Sequence, residues 1–188
     1  MSRPDAQRAA RFRDLIVPHL RDAYSLARYL ARDASVADDV VQEACLRAFR
    51  HMDSLRSHDS RPWLLKIVRN CFYAAWSRDT SRAADVSLES AEEHDDKRPG
   101  NDNAALEEAD PQSIVSRAHD RQAVHEMIGA LPADFREVLV LRELNDLSYR
   151  EIADIAGIPI GTVMSRLARA RDLLRKAWIA RESAGTAS

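Results

Sequence analysis

LSYREIADIAGIPIGTVMSRLARARDLLRK, residues 147–176, decides how the chain is read. Ser148 precedes Glu151 by three residues, the spacing at which a serine hydroxyl and a glutamate carboxylate cap each other's backbone amides. A short helix, Tyr149–Ala156, follows with Ile152 and Ala153 inward. Gly157 closes it as a C-cap. Ile158-Pro159-Ile160-Gly161 then forms a turn, and Thr162 is expected to cap a second helix reaching about Trp178. Capping box, short helix, glycine turn and second helix are the layout of a helix-turn-helix. Ile152, Ala153, Ile158, Val163 and Leu167 supply the small core that crosses the two helices steeply. Between Pro159 and Lys176 stand five basic residues and one acidic residue, Asp172. A solvent-facing helix with incidental arginines is the competing reading, and the ordered caps before it argue against that. Thr162, Ser165, Arg166 and Arg169 lie in the first two to three turns, where side chains reach base edges, whereas Arg175 lies too far along.

Outward from this motif, apolar residues keep helical spacing. Residues 113–130 carry Ile114, Val115, Ala118, Val124, Met127 and Ile128, and Leu131-Pro132 ends that helix. Asp134 opens another, with Phe135, Val138, Leu139, Leu141 and Leu144 apolar, before an Asn145-Asp146 turn. The other end of the chain reads as three amphipathic helices. Residues 8–31 read as one helix through Phe12, Leu15, Ile16, Leu20, Tyr24, Ala27 and Leu30, which Pro18 either kinks or splits. Asp33 or Ser35 can cap a second, from about Val36 to Met52. A third starts near Arg61-Pro62 and runs to about Arg78, burying Leu64, Ile67, Val68 and Cys71.

Between the two blocks the pattern dissolves. SLESAEEHDDKRPGNDNAALEEADP is acidic and poor in large apolar residues, so it cannot bury enough surface to offset its ordering entropy. The expected architecture is all-α: a three-helix domain over 8–80, a flexible acidic linker over 81–112, and a four-helix domain with the helix-turn-helix over 113–182.

The net charge of -2 conceals this division. Residues 1–80 carry 14 basic and 10 acidic groups, residues 81–120 carry 4 and 11, and residues 121–188 carry 10 and 9. Overall charge is therefore a poor guide to nucleic-acid binding here. Of 28 basic residues only Lys66, Lys97 and Lys176 are lysine; arginine suits bidentate contacts to phosphate or guanine. No apolar run is long enough for a membrane span and the N-terminus has no apolar signal core, so a cytoplasmic protein is expected. Cys45 and Cys71 sit among apolar helical residues and read as buried thiols. Six scattered histidines, with no HExxH, phosphate-cradling loop or nucleophile elbow, give no support for an enzyme, and no cofactor or metal is expected.

The region from ALPADFREVLVLRELNDLSY to the final arginines resembles region 4 of the extracytoplasmic-function sigma factors of bacterial RNA polymerase. Independently, SVADDVVQEACLRAFRHM resembles their region 2 helix that grips the polymerase, and RPWLLKIVRNCFYAAWSR the helix that reads the promoter −10 element. The resemblance covers most of residues 10–80 and 121–178, in the right order. It implies an alternative sigma factor that binds core RNA polymerase, directs it to a restricted promoter set, and is controlled by an anti-sigma factor. Asp38, Asp39, Gln42 and Glu43 would form the polymerase surface, facing a coiled coil of the β′ subunit; complementing the helix dipole is their simpler role. Phe49, where the family often has tryptophan, is expected in the core. Arg61, Lys66, Arg69, Asn70 and Tyr73, with Trp63, Trp76 and Arg78 nearby, mix rings and cations as single-stranded DNA requires, and the resemblance assigns them to the −10 element. A base would be captured in the loop Ser57–Arg61 before this helix. Thr162, Ser165, Arg166 and Arg169 would read the −35 element as duplex. An ordinary helix-turn-helix regulator would not need the Asp39/Gln42/Glu43 patch. A sigma-like decoy would have no use for Arg166 and Arg169.

Overall fold

The structure, a computed structural model, describes residues 3–55, 60–85 and 122–185. Every regular element among them is helical. Helix α1 spans Arg3–Leu15, and Pro18 then forces a 3-10 turn, Val17–His19, before α2, Leu20–Ala31. Of the two outcomes left open at Pro18, the kink and the split, the split is the one found, because proline has no amide to continue the ladder. Arg32 leaves α2 in a left-handed conformation (φ 63°), and Asp33 caps α3, Ala34–Arg50, by accepting from the Val36 amide at 3.0 Å. That amide holds the Asp33 carboxyl below its usual pKa. After a 3-10 turn, Met52–Ser54, helix α4 runs Ser60–Asp85, beyond the expected end at Arg78 and into the range assigned to the linker. Residues 86–112 of that linker, and the loop positions 56–59, lie outside the described residues.

Of the helix expected over 113–130, positions 113–121 lie outside the described residues and the remainder forms α5, residues 122–130, followed by α6, Ala133–Leu139. Helix α6 widens into a π-helical turn, Val140–Leu144, where the Asn145 amide reaches back to the Val140 carbonyl at 3.1 Å. Such bulges absorb one extra residue in a helix. Asp146 follows at φ 44°, and Arg142 ties the loop by donating to the Leu147 carbonyl at 2.7 Å. Helix α7, Tyr149–Ala156, has the expected capping box: Ser148 Oγ accepts from the Glu151 amide, and the Glu151 carboxylate accepts from the Ser148 amide at 2.8 Å. Gly157 is left-handed at φ 68°. Helix α8 spans Ile160–Gly185, longer than expected at both ends. The Thr162 and Val163 amides of its first turn donate to the Pro159 carbonyl at 2.9 and 3.1 Å, so Thr162 is inside the helix and is not its cap.

Helices α2, α3 and α4 pack together, as do α6, α7 and α8. The two halves also pack on one another: α2 meets α6 and its π turn, and α4 meets α7. Buried apolar residues from both, including Leu26, Leu65, Val68, Val138, Leu141, Ile152 and Leu167, join one continuous core. Four residues with core spacing are not inside, Val124 among them. Tyr24 and Leu144 are exposed, and Phe49 is 36% exposed, touching Phe12 edge-on at 5.6 Å. Cys71 is buried and Cys45 half-buried, both free, and burial pushes both thiols' pKa up.

The helix-turn-helix depends on its caps. Ser148→Ala is expected to lower stability by about 1 kcal/mol. Gly157→Ala, where a new Cβ meets open space, should cost about 1–2 kcal/mol through the left-handed backbone alone. Denaturant unfolding of each variant against the parent chain checks both values; an unchanged midpoint would contradict the cap assignments.

Candidate nucleic-acid interface

The recognition-type helix α8 is anchored by Val163, Leu167 and Ala170, all buried, while Ser165 and Arg169 stand exposed one turn apart on the outside. Ser165 donates back to the Thr162 carbonyl at 3.0 Å. Thr162 is half-buried. Arg166 is held differently: its guanidinium pairs with Asp134 of α6 at 2.6 Å. Further along, Arg171 pairs with Glu143 at 2.6 Å and Arg175 with Asp172 at 3.0 Å. Arg169 also borders a shallow groove between α6 and α8 with Phe135, Ala168, Asp172 and Leu173.

On α4, positions 66, 69, 70 and 73 fall on one helical stripe. Lys66 and Asn70 are exposed. Trp76, one turn on, is 61% exposed, with its ring 6.0 Å from that of Phe72. An exposed ring beside cations is what base stacking uses. Trp63 is partly buried and packs against the core. Arg61 is engaged by Asp22 of α2 at 2.6 Å. Beside it, the Ser60 hydroxyl lies 3.3 Å from His19 Nε2.

Arg69 and Tyr73 are brought together, and a third residue joins them from the other half of the chain. The Arg69 guanidinium lies 4.6 Å from the centre of the Tyr73 ring. Arg69 Nε donates to Glu137 Oε1, and the Tyr73 hydroxyl donates to Glu137 Oε2 at 3.0 Å. Burial, reinforced by the Glu137 charge and this hydrogen bond, pushes the Tyr73 phenol up to about 12. Glu137 belongs to α6 and is 1% exposed. Sequence reasoning passed over it. The signal was present in Val138-Leu139-Val140-Leu141, which is apolar around a whole helical turn. Such a turn is buried on every side, and Glu137 stands one helical turn before Leu141, on the same side of the helix. Its neighbour Arg136 is buried as well and donates to the carbonyls of Gly129 at 2.6 Å and Leu131 at 3.2 Å. Desolvation, with Arg32 nearby, lowers the pKa of Arg136.

The acidic set on α3 is compact. Asp38, Asp39 and Gln42 are exposed, and Glu43 is half-buried, accepting from Arg47 Nε at 2.6 Å. Spacings of one, three and four residues place the four on a single face. The loop assigned to base capture is described only at Ser60 and Arg61.

Comparison with known proteins bears on both halves. Residues 15–82 match the family model of sigma-70 region 2, and residues 121–174 match that of sigma-70, region 4. The RNA polymerase sigma-H factor of Pseudomonas aeruginosa is 33% identical over 168 residues, covering 87% of this chain and 83% of that protein. The ECF RNA polymerase sigma-E factor of Escherichia coli K12 is 35% identical over 162 residues, covering 82% and 81%. Among solved structures, the sigma factor RpoE of Bartonella quintana, in complex with the anti-sigma factor NepR, superposes with a TM-score of 0.67. That match is at 27% identity and covers 89% of this chain and 96% of RpoE. CnrH, in complex with the cytosolic domain of CnrY, shares the fold at a TM-score of 0.61 and 24% identity. Two sigma regions in sequence order, around a helix-turn-helix with its own caps, identify the chain as a member of the extracytoplasmic-function group of sigma-70 family RNA polymerase sigma factors.

Proposed function

We propose that promoter recognition is divided between the two halves, with residues 8–80 acting as region 2, residues 81–112 as the connecting linker and residues 113–182 as region 4. As a sigma factor, the chain binds core RNA polymerase and directs initiation at specific promoters. The Asp38/Asp39/Gln42/Glu43 face is the polymerase contact, engaging the β′ coiled coil. Its supporting observation is that three of the four side chains are exposed on one helical face. Helix α4 takes the −10 element through Arg61, Lys66, Arg69, Asn70 and Tyr73. Helix α8 takes the −35 duplex through Thr162, Ser165, Arg166 and Arg169. The observation that carries this reading is the capped helix-turn-helix, whose second helix leaves Ser165 and Arg169 exposed over a buried Val163/Leu167 base.

The chain works on DNA as a binding and positioning factor; bond formation belongs to the polymerase, and the place of action is the cytoplasm. No helix among the described residues is long and apolar enough to cross a membrane. Control by an anti-sigma factor is supported by RpoE of Bartonella quintana, whose structure was solved with the anti-sigma factor NepR.

Asp39→Arg is expected to abolish co-purification with core polymerase while the variant retains the parent's helical content by circular dichroism; retained binding would move the interface elsewhere. Arg169→Ala should weaken promoter binding by about 1–3 kcal/mol if its guanidinium pairs with a base edge. Run-off transcription on the cognate promoter reads this, and undiminished promoter-specific product would contradict the −35 assignment.

A further inference from the structure

Glu137 lies where promoter DNA is assigned to lie. Two of the α4 side chains given to the −10 element, Arg69 and Tyr73, direct their donors at one carboxylate from the opposite half of the chain. A carboxylate offers a guanidinium and a phenol what a backbone phosphate offers: two anionic oxygens able to accept both hydrogen bonds. We propose that Glu137 is an internal occupant of the −10 strand surface, an autoinhibitory latch that closes region 4 onto region 2 and is displaced when promoter DNA enters. This rests on the assignment of α4 to the −10 strand.

The seam around Glu137 has the character of a contact that opens. Arg136 crosses it by donating to the Leu30 carbonyl at 3.4 Å, and the Asn145 side-chain Nδ2 crosses it by donating to the Asp22 carbonyl at 3.4 Å. Both bonds are long. Arg136 Nε and Asn145 Oδ1 are buried there with no hydrogen-bond partner. Settled cores rarely leave polar atoms in that condition, because each one carries an uncompensated desolvation cost. A surface that spends part of its life in water, or against another charged surface, recovers those bonds on opening. The same short helix also places Asp134 on Arg166 of α8. Helix α6 therefore holds one DNA-assigned arginine in each half, three residues apart along its own axis.

The test is Glu137→Gln in the full-length chain, with Glu137→Asp as a second variant that keeps the charge but shortens its reach. Two properties are read. Spectrophotometric titration, corrected with a Tyr73→Phe control, follows Tyr73; strand affinity is followed by anisotropy of a fluorescein-labelled, mixed-sequence 20-nucleotide single-stranded DNA. Both variants are expected to bring the Tyr73 midpoint down from about 12 towards the ordinary tyrosine value. Both should also bind the strand about ten-fold more tightly, a typical coupling between sites. Adding Arg69→Ala to either should remove the gain. An unmoved strand affinity overturns the latch, whether or not Tyr73 shifts. Failure of the underlying reading is distinguishable: Arg69→Ala and Tyr73→Phe in the parent chain would then leave promoter-specific transcription with core polymerase unchanged.

Discussion

A single buried carboxylate sets the relation between the two halves of this protein. Glu137 is almost wholly removed from water and is compensated by one guanidinium and one phenol, both from the other half. Removing either donor leaves a buried charge short of partners, which is far more costly than losing an exposed ion pair. Apolar residues of both halves share one buried core, and this contact lies at the seam between them. With that face of α4 proposed to take the −10 strand, the latch proposal makes the compact arrangement and the DNA-engaged arrangement exclude one another.

Within each half, the elements that present function rest on local chemistry. Pro18, Asp33 and Arg32 set where the region 2 helices begin and end, so that α3 turns its acidic face outward while Val40, Ala44 and Ala48 face inward. In region 4, the Ser148–Glu151 box and the left-handed Gly157 hold α7 short, and Pro159 starts α8 at a new angle. The result is a helix whose inner side is Val163, Leu167 and Ala170 and whose outer side carries Ser165 and Arg169.

Most of this was legible in the sequence because it is local. Caps, proline breaks and 3.6-residue spacing are written within a few residues of the structure they produce, and the helix-turn-helix could be read from 30 residues. The misreadings share a different cause. Phe49, Tyr24, Val124 and Leu144 have the periodicity of core residues, yet their burial depends on whether another element covers them, and none of the described elements covers them fully. Thr162 had the right chemistry for a cap, but Pro159 had already opened the helix. Glu137 was missed for the opposite reason. A charged residue is normally solvated, and its burial depends on donors 64 and 68 positions away in the chain. Arg166 was recognised as a DNA-facing candidate, but its pairing with Asp134 is tertiary and has no signature in α8 itself.

In the proposed latch, the halves are closed on Glu137 in the free chain and part when polymerase and promoter are engaged. Arg21 on α2 and Arg150 on α7 are exposed and lie outside every assigned surface, so spin labels there leave the interfaces intact. Pulsed dipolar spectroscopy on Arg21→Cys/Arg150→Cys, with Cys45 and Cys71 replaced by alanine, measures the separation directly. One narrow distance is expected for the free chain, and a longer one in the complex with core polymerase and promoter. The same distance in the transcriptionally active complex would contradict the latch.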